Sequence, residues 1–117
     1  MKSRRLSRAA EFDAVYRRGR SASTRHLVVY SFPRPEEASA PLRLGMSVSR
    51  KVGSAVERNH IKRLMREAFE LLRPKLATGA DIVVVARPGL NEKIEREGLD
   101  WLTSELNLLI RKGLEVA

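Results

Sequence analysis

Apolar positions recur along this chain at two spacings, one helical and one extended, and the changes between them mark out its elements. From Ser7 to Arg18, residues Ala9, Phe12, Val15 and Tyr16 share a stripe at helical spacing, with Ser7 placed to cap the start and Gly19 to stop the end. Leu27 to Phe32 is a β-branched and aromatic run, and Leu44, Met46 and Val48 then alternate with Arg43, Gly45, Ser47 and Ser49 as a half-buried strand does. The connector from Pro33 to Pro41 carries turn formers and no period, so the two runs are expected to form a hairpin with an exposed loop. Ser21 to Ser23 adds a short candidate strand.

Ser54 and Glu57 stand at capping-box spacing and open a helix that should run to about Arg73, where Pro74 stops it. Asp81 to Ala86 is a continuous apolar run, expected to form a central strand covered on both faces. The last helix, from Ile94 to Lys112, puts Leu99, Leu102, Leu106, Leu109 and Ile110 on one side; Gly98 weakens its first turns and Gly113 ends it. Phe69 and Trp101 are assigned to the core. With no repeat or linker, residues 1–117 read as a single α+β domain with helices packed on a small sheet.

The helix that starts at Ser54 carries the most information. Projected at about 100° per residue, Arg58, Lys62, Arg73, Arg66, Asn59 and Arg63 fall on one side, and Leu71, Leu64, Ala68, Ile61, Leu72 and Met65 on the other. A solvated helix face usually mixes charges at i,i+4, yet the stretch from Arg58 to Arg66 holds no acid. Like charges on successive turns repel, so the pattern asks for an anion opposite it. Upstream, Ser49-Arg50-Lys51-Val52-Gly53 leads from a strand to the helix N-terminus, where backbone N–H groups and Lys51 could hold a phosphate. Glycine spacing and a Lys-Ser/Thr ending are lacking, so this is no Walker loop.

Charge changes the picture further. The formal net charge is +9. Residues 1–66 hold 16 Lys and Arg against 5 acids, while residues 67–117 are slightly acidic, so one surface faces a polyanion. Arginine dominates the excess, and its planar fork suits phosphates and bases better than a membrane surface. The longest aliphatic run, Ile82 to Ala86, is far short of the roughly 20 residues that span a bilayer. The N-terminus is rich in Arg and Ser but interrupted by Glu11 and Asp13, and is read as mature protein in a cytoplasmic setting. Absence of cysteine excludes disulfides, thiolate catalysis and zinc ribbons. His26 and His60 lie on different elements without metal-ligand spacing, no Ser-His-Asp set composes, and no metal site is assigned. The chain is therefore a binding module.

The run Gly45-Met46-Ser47-Val48-Ser49-Arg50-Lys51-Val52-Gly53, followed by Arg58-Asn59-His60-Ile61-Lys62-Arg63-Leu64-Met65-Arg66, resembles the signature of the bacterial ribonuclease P protein family. Glu11-Phe12 through Tyr16 to Gly19 resembles the family's first helix, Val28 to Tyr30 its second strand and Asp81 to Arg87 its last. One residue departs: His60 stands where the family's Arg-Asn-Arg triplet has its third residue, and a histidine is not a permanent cation.

The resemblance implies an order of helix, three strands, helix, strand, helix. It implies a mixed four-stranded sheet with a left-handed βαβ crossover, of the ribosomal protein S5 domain 2-like class. Sheet physics alone would favour a right-handed crossover. It further implies a ribonuclease P subunit that assists removal of the 5′ leader from precursor tRNA, with catalysis by an RNA partner using magnesium and no cofactor on the protein. Arg50, Lys51, Arg58, Asn59, Lys62, Arg63 and Arg66 would face the catalytic RNA. Phe12, Tyr16, Arg17, Val28 and Tyr30 would line the cleft for the single-stranded leader. Aromatics beside cations suit such a strand at roughly 1 to 3 kcal/mol per stacked base, with core packing as the alternative role of each aromatic. The alternative from another class is a ribosomal or RNA-chaperone structural protein, which the same charge and fold would suit.

Overall fold

A computed structural model describes residues 20–76 and 79–115. The first predicted helix, with Phe12, Tyr16 and Arg17, lies outside the described residues. Strands β1 (Arg20–Ser23), β2 (Leu27–Pro33) and β3 (Arg43–Ser47) precede helix α1 (Ala55–Leu72), then β4 (Ala80–Ala86) and helix α2 (Leu90–Glu115). The short candidate strand is real and pairs with β2.

The four strands form one mixed sheet in the order β1-β2-β4-β3. The expected hairpin between the second and third strands does not form. β4 lies between them, antiparallel to β2 and parallel to β3. The reason is burial: β4 is the most apolar strand, and six of its seven residues are buried, which only a central position allows. The connector after β2 is accordingly not a free loop. It wraps the start of β4, with Arg34 N–H donating to the Gly79 carbonyl and Gly79 N–H to Ala40 O at 2.8 Å. Gly79 has φ +75°, and a Cβ there would meet the Ala38 backbone at 2.7 Å, so glycine is required on both counts.

Strand alternation divides the sheet into two faces. Leu27, Val29, Leu44, Ile82, Val84 and Ala86 point to one face and form the main core with Ile61, Met65, Ala68 and Phe69 of α1 and Leu102, Leu106, Leu109 and Ile110 of α2. Each fully buried Leu, Ile or Phe contributes about 1.5–3 kcal/mol. The other face carries Val83 with Tyr30, Phe32 and Val85.

The predicted capping box is present: Ser54 Oγ accepts from Glu57 N at 3.2 Å and Glu57 Oε1 from Ser54 N at 2.8 Å. Two glycines in α2 behave differently from expectation. Gly98, at φ +82° and ψ −175°, interrupts the helix outright. Gly113 does not end it; this residue is buried inside the helix, where a Cβ would stand 2.5 Å from Ser31 Oγ, so its lack of a side chain lets α2 lie close on β2.

At the far end of the sheet a charge network that the pattern did not predict closes the connector. Asp81 is 3% exposed and receives Arg43 through Nε and Nη2, both at 2.7 Å. Buried Arg34 places its Nε 3.0 Å from the same carboxylate and its Nη1 against Glu37.

Candidate nucleic-acid interface

Helix α1 is held to the sheet by Ile61, Met65, Ala68, Phe69 and Leu72, which sets the direction of every other side chain on it. Asn59, His60 and Arg63 point outward and are exposed, while Arg58, Lys62 and Arg66 run along one flank, half-buried. The Arg58 Nε is enclosed without a hydrogen-bond partner among the described residues. Arg63 Nη2 lies 2.9 Å from His60 Nδ1, so the histidine that departs from the family triplet contacts a cation on the next turn. Arg50 and Lys51 are exposed on the turn that enters the helix, which Val52 anchors by burial and by its N–H bond to Ser49 O at 3.0 Å.

Three details change the reading of the helix. Leu71, expected on the apolar stripe, is 57% exposed and sits in an open groove with Arg63, Arg66, Glu67, Glu70 and Leu99; Phe69 takes the inward place instead. Arg73, counted with the basic side, is structural: it donates to Leu42 O and to Glu70 at 2.9 Å, and its guanidinium stacks 4.7 Å from the Phe69 ring centre. At the helix start, the N–H groups of Ser54 and Glu57 are already taken by the capping box, and the Glu57 carboxylate stands among them. Glu57 Oε2 also accepts from buried Asn91 Nδ2 at 3.1 Å, which ties α1 to the first turn of α2. The Glu57 carboxylate at the helix start opposes an anion there, which leaves the exposed side chains of Arg50 and Lys51 as the cations available beside this turn.

Val28 and Tyr30 lie together on the second face of the sheet, both half-buried, registered with Val85 and Val83 of β4. Phe32 continues the same row, a residue the sequence reading passed over although its spacing of two from Tyr30 carried the signal.

Trp101 is half-buried rather than wholly in the core. Its ring meets His26 edge-on at 5.9 Å and 85°, and Lys93 Nζ lies 5.4 Å from its centre. Burial holds the His26 imidazole below its ordinary pKa, helped by Arg25, Lys93 and Arg96 and opposed by Glu105. Among the described residues no three His, Asp or Glu side chains gather as a metal site requires. No described helix is long and apolar enough to cross a membrane.

The family model for ribonuclease P matches residues 1–112. The ribonuclease P protein component of Enterococcus faecalis is 36% identical over 97% of this chain and 98% of its own length. That of Brevibacillus brevis is 44% identical over 76% of this chain and 69% of its own. Among solved structures, the RNase P protein of Staphylococcus aureus is similar with a TM-score of 0.78 at 33% identity, covering 92% of this chain and 93% of that one. The RNase P protein of Thermotoga maritima gives a TM-score of 0.78 at 34% identity, covering 92% and 96%.

Proposed function

The chain belongs to the ribonuclease P protein family, a subunit of an endoribonuclease of tRNA processing, and from that premise we propose that α1 binds the catalytic RNA while the Val28–Tyr30 face takes the 5′ leader of precursor tRNA. The observation that carries the first half is the α1 flank. Arg58, Lys62 and Arg66 stack on successive turns, Arg63 stands outward beside them, and Arg50 and Lys51 extend the positive surface past the helix start. Such stacking costs the isolated helix a few tenths of a kcal/mol per pair, and a phosphate backbone turns that cost into attraction. Asn59 adds a neutral donor and acceptor on the exposed side.

The second half rests on aromatic chemistry. Tyr30, with Phe32 beside it, adds aromatic rings to the sheet face that also carries Val28, Val83 and Val85, and a single strand is held by stacking without need of base identity. Phe12, Tyr16 and Arg17 complete this proposed leader site from the sequence side. Hydrolysis belongs, in this reading, to the RNA with magnesium, and the polypeptide supplies position and charge. The working compartment would be the cytoplasm, where precursor tRNA is made in bacteria.

The test is reconstitution with a bacterial catalytic RNA and a precursor tRNA at low magnesium. Added protein should raise leader cleavage, and the protein free of RNA should cleave nothing. Cleavage by the RNA-free protein, or no effect of protein on the RNA, would overturn the reading.

A further inference from the structure

Three loops meet at the end of the sheet where β3 and β4 finish and β2 begins. Ser47 is registered with Val85 and Leu27 with Ala86. The Ser49–Gly53 turn, the Arg87–Gly89 loop and the Thr24–His26 turn therefore emerge side by side, in the order fixed by β3, β4 and β2. Each carries exposed cations: Arg50 and Lys51 on the first, Arg87 on the second, Arg25 on the third. Strands spaced roughly 4.8 Å apart make this row about 10 Å long across three strands. That is long enough for neighbouring phosphates of one strand to lie along it.

The row is a built feature rather than scattered surface charge. Arg87 N–H donates to His26 O at 2.9 Å, and Arg87 Nη1 donates to Thr24 O at 2.9 Å, so the β4 loop holds the turn that bears Arg25. A guanidinium has five N–H donors, and one such bond leaves the fork aimed with donors to spare. Behind the row, exposed Arg96 and half-buried Lys93 come from α2, with Lys93 lying over Trp101. Acids are close: Glu97 stands 3.7 Å from Lys93, and Glu105 acts on His26. Burial is the main cause of the lowered His26 pKa; Arg25, Lys93 and Arg96 act in the same direction and Glu105 against them, which puts these three cations around one imidazole.

We propose that Arg25, Arg87 and Arg96 form a second RNA-backbone site that continues from Arg50 and Lys51 around the end of the sheet, and that its occupant is the catalytic RNA already engaged by α1. The inference rests on the proposed reading of α1. Continuity selects this occupant, because the Ser49–Gly53 turn belongs to both surfaces. A strand leaving the α1 flank past Lys51 meets Arg87 next and Arg25 after it.

Equilibrium binding of the catalytic RNA across 50–300 mM salt separates the possibilities. The Arg25→Ala, Arg96→Ala pair changes two exposed residues and should lower the slope of log K against log salt by about 1.4 to 1.8, at 0.7 to 0.9 per lost phosphate contact. Affinity near physiological salt should fall roughly tenfold. Arg87→Gln should act in the same direction, with circular dichroism confirming that the Thr24–His26 turn has not unfolded the domain. The fluorescence of Trp101, the single tryptophan, should change when RNA binds the parent protein and change less in the pair. A Lys62→Ala, Arg63→Ala pair runs beside these. If it weakens binding while the Arg25, Arg96 pair keeps the parent slope, the second site falls and the α1 reading stands. If neither pair changes the slope, both fall. If the Arg25, Arg96 pair binds the catalytic RNA normally and loses only precursor tRNA in the assembled enzyme, the occupant named here is wrong and the proposal is overturned.

Discussion

Replacing Arg63 by Ala isolates the electrostatic role of α1, because this side chain is exposed and its recorded contact is with the ring of His60 on the same helix. Folding stability should stay within about 0.5 kcal/mol of the parent, as for surface positions away from the core. One lost phosphate contact lowers the salt slope by about 0.7 to 0.9. Over the fourfold range from 50 to 200 mM salt, the ratio of parent to variant affinity should then shrink by about threefold, with the larger defect at low salt. Arg58→Ala should show the same slope change plus a loss of about 1 kcal/mol in stability, because its half-buried stem and enclosed Nε also pack against the domain. Filter binding or fluorescence anisotropy with the catalytic RNA reads the slope, and urea unfolding reads the stability. Arg63→Lys should restore the slope, since it keeps the charge. A variant Arg63→Ala that folds normally and keeps the parent slope would refute the assignment of this face to RNA.

Tyr30→Ala should weaken binding of precursor tRNA by the assembled enzyme more than binding of mature tRNA, because only the precursor has a leader to stack; equal losses would return Tyr30 to a packing role. Asp81→Ala should lower the unfolding free energy by about 3–5 kcal/mol, since it removes the buried carboxylate that Arg34 and Arg43 share, and a loss below about 1 kcal/mol in urea titrations would show the network to be incidental. His26 gives a pH prediction with a definite sign. Its folded pKa is lowered, so the unfolded chain takes up the proton first, and the stability this group supplies is present above the ordinary value of 6.5 and lost as pH falls toward the folded value. Unfolding midpoints should drop between pH 7.5 and 5.5, and drop less in His26→Gln; parallel drops in both proteins would remove His26 as the cause.

Local signals in the sequence were enough for the strands and helices among the described residues. Ser54 and Glu57 satisfy helix-end donors within one turn of chain, so the start of α1 was legible without any tertiary contact, and it begins where expected. The unbroken apolar run of β4 could be stable only with both faces covered, so its central place was legible too. The acid-free stretch from Arg58 to Arg66 identified the candidate interface, and the family resemblance put Val28 and Tyr30 together.

Tertiary structure decided what depends on residues far apart in the chain. Neighbouring runs in sequence suggested that β2 pairs with β3, but the gain from burying β4 on both edges exceeds the advantage of a short connection, so β4 enters between them. Helical projection gave the angles of α1 but not the direction of the core. A core shifted toward Phe69 leaves Leu71 in water and draws Arg58 and Lys62 into partial burial, and Arg73 is claimed by Leu42 and Glu70. Gly113 looked like a stop signal because an isolated helix loses stability there, whereas in the fold the absence of a Cβ admits Ser31. Arg25 and Arg87 are unremarkable along the chain and become neighbours only when strand order brings their loops to one end of the sheet, with Arg96 reaching the same His26 from α2. A local pattern fixes which residues share a face, while strand order and core direction are set by burial summed over the whole domain.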